Sequence, residues 1–175
     1  MKKVLIAIHL QNDFIDEALG TKEAVDIVEA CVQKIRSYQG DFVFATMDTH
    51  AENYLETAEG KHLPIVHCVK STHGWQLNDR IQEALQEVDA TIIEKPTFGS
   101  EQLVKEIKKL AETEPLEIEI IGLCTDICVV SNALLLKAAL YETPIYVDPS
   151  CCAGVTPESH QAALTTMKMC QINLR

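Results

Sequence analysis

The sequence predicts a doubly wound, three-layer α/β/α sandwich on a mostly parallel sheet of about six strands. Three observations predict it. Apolar runs that read as strands alternate with segments of helical periodicity along the whole chain. The strand-like runs are continuously apolar, as strands covered on both faces are. No repeat, low-complexity segment or linker interrupts the alternation, so residues 1–175 are expected to form a single domain.

Lys3 to Ile8 is the first strand, rich in valine and isoleucine. Gln11 to Gly20 reads as a polar loop at its C-terminal end. Thr21 is an N-cap, followed by Ala24, Ile27, Val28, Cys31 and Ile35 at helical spacing to about Tyr38. Asp41 to Met47 is a second strand. Asp48 to Gly74 has no clean periodicity, and a loop of that length in a compact domain is usually functional or disordered. Leu77 to Val88 reads as a helix, Ala90 to Ile93 as a third strand, and Ser100 to Glu112 as a lysine-rich amphipathic helix. Leu116 to Gly122 is a fourth strand. The following helix, Val129 to Leu140, is apolar nearly all round. It must be covered on more than one side, by the sheet and by a second copy of the chain, so a homo-oligomer is expected. Pro144 to Val147 is a fifth strand. Thr156-Pro157-Glu158 opens a helix with an N-cap, a proline at the first helical position and an acid. Gln171 to Leu174 is a last short strand.

Composition narrows the function. The formal net charge of −11 argues against nucleic acid or an anionic membrane surface as partner. No run of about 20 apolar residues is present. The N-terminal apolar run is too short for a signal peptide and lacks a small-residue cleavage site, so a cytoplasmic protein is expected. Seven scattered cysteines are not a disulfide framework, and Cys124 and Cys128 lack both CxxC spacing and a second pair for structural zinc.

In open α/β sheets the site lies at the carboxyl ends of the strands. His9, Asp48, Lys95 and Cys124 to Cys128 are all predicted there. Cys128 falls in the first turn of a helix, where unpaired N–H groups and the dipole favour a thiolate. It is the candidate nucleophile; the alternative is a small buried apolar residue, as most free cysteines are. Lys95, followed by Pro96, Thr97 and Phe98 rather than by a solvated charge run, is placed to lower the thiol pKa and move its proton. Four of the six histidines lie between residues 48 and 74. Asp48 and His50, with Glu59 and His67, form a nitrogen-and-oxygen donor set suited to zinc, iron or manganese. A solvated loop, with Glu59 capping a turn at Gly60, is the alternative.

These residues carry a resemblance. VLIAIHLQNDF (Val4 to Phe14), Asp48-Thr49-His50, Glu94-Lys95 and GLCTDICV (Gly122 to Val129) together resemble the nicotinamidase/isochorismatase-like cysteine hydrolases. The likeness spans essentially the whole chain in order, and the nucleophile turn is its most specific part. It implies a parallel sheet flanked by helices and an Asp–Lys–Cys triad, with Cys128 as nucleophile and Lys95 as the triad lysine. It implies Asp48, His50, His67 and Glu59 as ligands of a divalent metal, with no organic cofactor. It implies an oxyanion hole of the backbone N–H groups of Cys124 and Cys128, with a cis Leu123–Cys124 peptide, and a substrate pocket including Gln11 and Phe14.

One position departs: His9 stands where the family has its triad aspartate, while Asp13 matches the second acid of that loop. A Cys–His variant, an impaired ligand-binding or scaffold relative, and an introduced substitution are the three accounts. The expected function is hydrolysis of a small amide, nicotinamide to nicotinate and ammonia through a Cys128 thioester. The metal-like loop favours this over an isochorismate-like substrate.

Overall fold

In the computed structural model, which describes residues 1–175, the chain order explains where every candidate residue lands. It begins with β1 (Lys2–Ile8), α1 (Asn12–Ile15), α2 (Lys22–Asp26), α3 (Val28–Arg36) and β2 (Phe42–Asp48). A 3₁₀ turn (Tyr54–Glu56) and α4 (Ala58–His62) then precede α5 (Asp79–Glu87), β3 (Thr91–Lys95), α6 (Glu101–Ala111) and β4 (Leu116–Leu123). A π-helical turn (Thr125–Val129) leads into α7 (Val130–Ala139), β5 (Ile145–Ala153), α8 (Pro157–Met169) and β6 (Asn173–Leu174). The sheet order is β3-β2-β1-β4-β5-β6, and every pairing is parallel. This is the expected doubly wound sheet: the chain winds outward on one side of β1, then on the other.

Strand parity builds the two cores. Successive side chains of a strand point to opposite faces. Leu5 and Ala7 of β1 therefore join Cys31, Val32 and Ile35 of α3 and Ile81 and Leu85 of α5 on one face. Val4, Ile6 and Ile8 join Leu103 and Ile107 of α6, Ala133 and Leu136 of α7 and Leu164 and Met167 of α8 on the other. Each such aliphatic side chain, fully buried, contributes about 1.5–3 kcal/mol. No helix is long and apolar enough to cross a membrane.

At the centre, Gly122 pairs with Ile8. Its φ is +116°, and a Cβ there would lie 2.0 Å from the Ile8 carbonyl oxygen. Glycine alone fits, and the close approach of β4 to β1 brings the turn after β4 beside His9.

The structure corrects four element readings. Gln11 to Gly20 is not wholly a polar loop: α1 is buried throughout, because Asn12 and Asp13 spend their polarity on loop backbone. The helix from Thr21 is broken at Ile27 into α2 and α3, though Thr21 caps it as expected, accepting from the Ala24 N–H. The segment from Asp48 to Gly74 holds two short helical turns, one capped by Thr57. β5 runs past Pro149 to Ala153, because its register with β4 shifts between Ile120 and Gly122, and proline, lacking an N–H, is tolerated at such an irregularity.

Candidate active site and metal cluster

Four parallel strands end on one side of the sheet, and each delivers one candidate group. His9 follows β1, Asp48 ends β2, Lys95 ends β3, and Cys124 follows β4. Asp48 and Lys95 are direct register partners. A cavity of about 180 Å³ opens beside Asp48 and Cys124, walled by Phe14, Leu19, Leu63, Phe98, Ile127 and Val155, with Asp48, Glu59, His67, Cys124 and Cys128 at its polar end. A larger groove of about 720 Å³ between β3 and α5 has Asp89 as its only charged wall residue and offers no comparable chemistry.

The nucleophile turn differs from the expected helix start. Cys128 lies in the π-helical turn ahead of α7, where the Val129 N–H reaches back five residues to the Cys124 carbonyl. The sulfur-bearing residue is 4% exposed. Burial pushes the thiol well above its ordinary value, although the Lys95 ammonium pulls it down. Removal from water thus opposes the thiolate that the turn dipole and Lys95 favour. The Leu123–Cys124 peptide is cis. The Cys124 N–H makes no backbone hydrogen bond, and Cys124 lines the cavity beside Cys128. The Cys124 thiol itself is pushed up to about 12 by burial and by Asp126.

Lys95 is 2% exposed. Its ammonium donates to the Thr97 carbonyl and stands 3.8 Å from Asp48 Oδ1. Burial lowers its pKa, opposed by the fields of Cys128 and Asp48. His9 is fully buried and stacked on Phe14, with ring centroids 5.2 Å apart. Neither of its ring nitrogens has a hydrogen-bond partner. Burial, reinforced by the Lys95 charge, holds its pKa well below the ordinary histidine value, so the ring is neutral. Its backbone φ of 46° is uncommon for a residue other than glycine.

The other carboxylate oxygen of Asp48 faces the histidines. His50 Nε2 lies 3.0 Å and His67 Nε2 3.5 Å from Asp48 Oδ2. Glu59 Oε1 completes the group at 3.8 Å from His50 and 3.6 Å from His67. One ligand atom from each of the four lies within 4.8 Å of all the others. The His67 Nδ1–H donates to the Ile65 carbonyl at 2.8 Å, which leaves Nε2 to offer its lone pair inward. Two imidazoles and two carboxylates in a buried pocket fit a divalent cation of the zinc, iron or manganese type.

Burial alone would raise Asp48, but the His50 and His67 rings at its Oδ2, with the Lys95 charge, hold it far below the carboxylate range. Glu59 is pushed up by burial and by the Asp48 charge. His67 is raised against its own desolvation by Asp48.

Of the sequence-predicted residues, Gln11 is misplaced. It is fully buried and absent from the cavity wall. Its amide donates to the Asp48 and Trp75 carbonyls and accepts from the Asp48 N–H, so it braces β2's end and is not free to meet a substrate. Phe14 does line the cavity.

Several supporting residues escaped the sequence reading. Asp13 accepts from the Cys68 N–H at 2.7 Å and so anchors the segment bearing His67. Tyr54 packs edge-on against His50 and His67 at 4.8 and 4.9 Å. Buried Asn132 donates to the Cys128 and Phe98 carbonyls and accepts from the Ser100 N–H, tying the nucleophile turn to the cavity wall. An asparagine inside an apolar helix was the available signal for the last.

Comparison with known proteins places this geometry in a family. A family model described as "Isochorismatase domain" matches residues 3–174. An "Uncharacterized isochorismatase family protein PncA" of Bacillus subtilis (strain 168) is 29% identical over 174 residues, covering 94% of this chain and 93% of that one. The crystal structure of nicotinamidase/pyrazinamidase PncA from Bacillus subtilis superposes with a TM-score of 0.86 at 25% identity, with 99% of each chain covered. Pyrazinamidase of Pyrococcus horikoshii, solved in complex with zinc, gives a TM-score of 0.82 at 25% identity over 100% of this chain and 99% of that one. The chain described here belongs to the isochorismatase domain family.

Proposed function

We propose that the protein is a cysteine hydrolase of small amides, acting on nicotinamide to give nicotinate and ammonia. The observation that carries this is a small cavity with aromatic walls that Cys128 lines together with Asp48, Glu59 and His67 of a two-histidine, two-carboxylate cluster, with Lys95 buried against Asp48 behind it. The similar structures are those of nicotinamidases and pyrazinamidases, which supports it.

Because burial favours the protonated thiol, attack requires a proton acceptor. Burial disfavours the Lys95 ammonium, and in its neutral amine form Lys95 is suited to take the Cys128 proton as the sulfur bonds to the amide carbon. The oxyanion is held by the backbone N–H groups of Cys124 and Cys128. Lys95 gives the proton to the nitrogen of the tetrahedral intermediate, the C–N bond breaks to release ammonia and leave a thioester, and water cleaves the thioester to the acid and the free thiol. Neutral His9, with both ring nitrogens unengaged by the protein, is the second group able to accept a proton. Asp48, His50, Glu59 and His67 would hold a divalent cation, whose chemistry when bound is that of a Lewis-acid anchor for a ring nitrogen or a water. Phe14 and Phe98 would wall a flat ring.

Purified protein incubated with nicotinamide is expected to release ammonia, and Cys128→Ala to release none. No release by wild type, with none restored by His9→Asp, would sink the reading. The second reading, a ligand-binding relative without turnover, is favoured by His9 alone.

A further inference from the structure

We infer that His160 is a positioning residue for the Cys128 turn, acting through Thr125; this rests on the amidase reading for its activity readout. The turn from Thr125 to Val129 connects a strand end to α7, and its outer side is held by the start of α8 through two separate hooks. Thr125 Oγ1 lies 2.8 Å from His160 Nδ1. The neighbouring Asp126 carboxylate accepts from the Val155 N–H at 3.1 and 3.2 Å.

The local sequence makes the approach possible. A Cβ on Gly154 would lie 2.8 Å from the His160 Cβ and 2.9 Å from its Cα. The lack of a side chain therefore lets the first turn of α8 close onto β5's end. The capping box of Thr156 and Ser159 fixes that turn just before His160. Thr125 is fully buried, and His160 supplies the hydrogen-bond partner of its hydroxyl. Ile127 and Val155, one on each side of the hooks, line the cavity with Cys124 and Cys128. The α8 start thus sets where the sulfur and the cavity wall stand relative to each other.

The test uses the full chain and the variants Thr125→Val, Thr125→Ser, His160→Leu, His160→Asn and the Val/Leu double. Thermal melts verify folding. For nicotinamide, Thr125→Val and His160→Leu should each lower kcat by about 10- to 100-fold with little change in KM. The double variant should be no worse than either single one. Thr125→Ser and His160→Asn, which keep a polar atom at each end of the hook, should recover most of kcat. Rescue variants as impaired as the deletions, or additive losses in the double, would overturn the inference.

If wild type releases no ammonia, the amidase reading fails by itself. The hook is then judged by the iodoacetamide labelling rate of Cys128 against exposed Cys170 in the same sample. Deletion variants should shift the Cys128 rate several-fold, with the conservative variants restoring it and Cys170 unchanged. Equal Cys128 rates across the series would refute the hook.

Discussion

At residue scale, His9 sets the character of the site. A carboxylate there would sit beside Lys95 as a counter-charge; the imidazole is instead neutral, buried and unpartnered. Lys95 keeps one carboxylate neighbour, Asp48, and shares it with the histidine cluster. The His9 environment also has a stability consequence. Its folded pKa lies below the unfolded value of 6.5, so below pH 6.5 the unfolded chain binds a proton that the folded chain refuses. That stability is present above 6.5 and is lost as pH falls, by up to about 1.4 kcal/mol per pH unit within the window. His67, raised by Asp48, has the opposite sign, so the two partly offset. In chelator, urea melts from pH 7.5 down to about 5.5 should show wild type losing more stability than His9→Gln. Parallel pH dependences would contradict the neutral, desolvated ring.

At element scale, the segment between β2 and α5 is held by polar side chains where hydrophobic periodicity is absent. Gln11 serves three backbone groups at once, two of them on Asp48. Asp13 and Asn12 reach the same segment at Cys68 and His73. Replacing Gln11 by leucine would leave those buried backbone groups unpaired, at a cost of about 2–4 kcal/mol. A urea midpoint for Gln11→Leu within experimental error of wild type would show that the brace is dispensable. If the proposed cluster holds a divalent cation, the same variant should weaken its binding, measured with zinc in competition with a chelating dye, because it loosens the backbone of Asp48.

At the scale of the whole molecule, two helical layers bury both faces of the sheet, yet α7 is not fully covered. Ala133 and Leu136 are buried on the sheet side, while Leu135 is 40% exposed and Tyr141, just beyond the helix, is 70% exposed. We propose that this face meets another copy of the chain. Light scattering at micromolar concentration is expected to give a multiple of 19.5 kDa, and a monomer mass would refute it.

The sequence by itself determined the order and type of nearly every element, because continuous apolar strands and helical periodicity are local signals. It also marked Cys128, Lys95 and the Asp48–His50–Glu59–His67 set, because strand ends and residue chemistry are legible along the chain. It did not show that Gln11 braces backbone, that Asn132 ties Cys128 to Phe98, or that β5 continues past Pro149. Each of those depends on partners that are distant in sequence or on a register shift between strands. Only the tertiary structure showed how strongly burial opposes charge in the site. The depth of burial around Cys128 and His9 is a property of the packed molecule, and desolvation there disfavours the charged form of each.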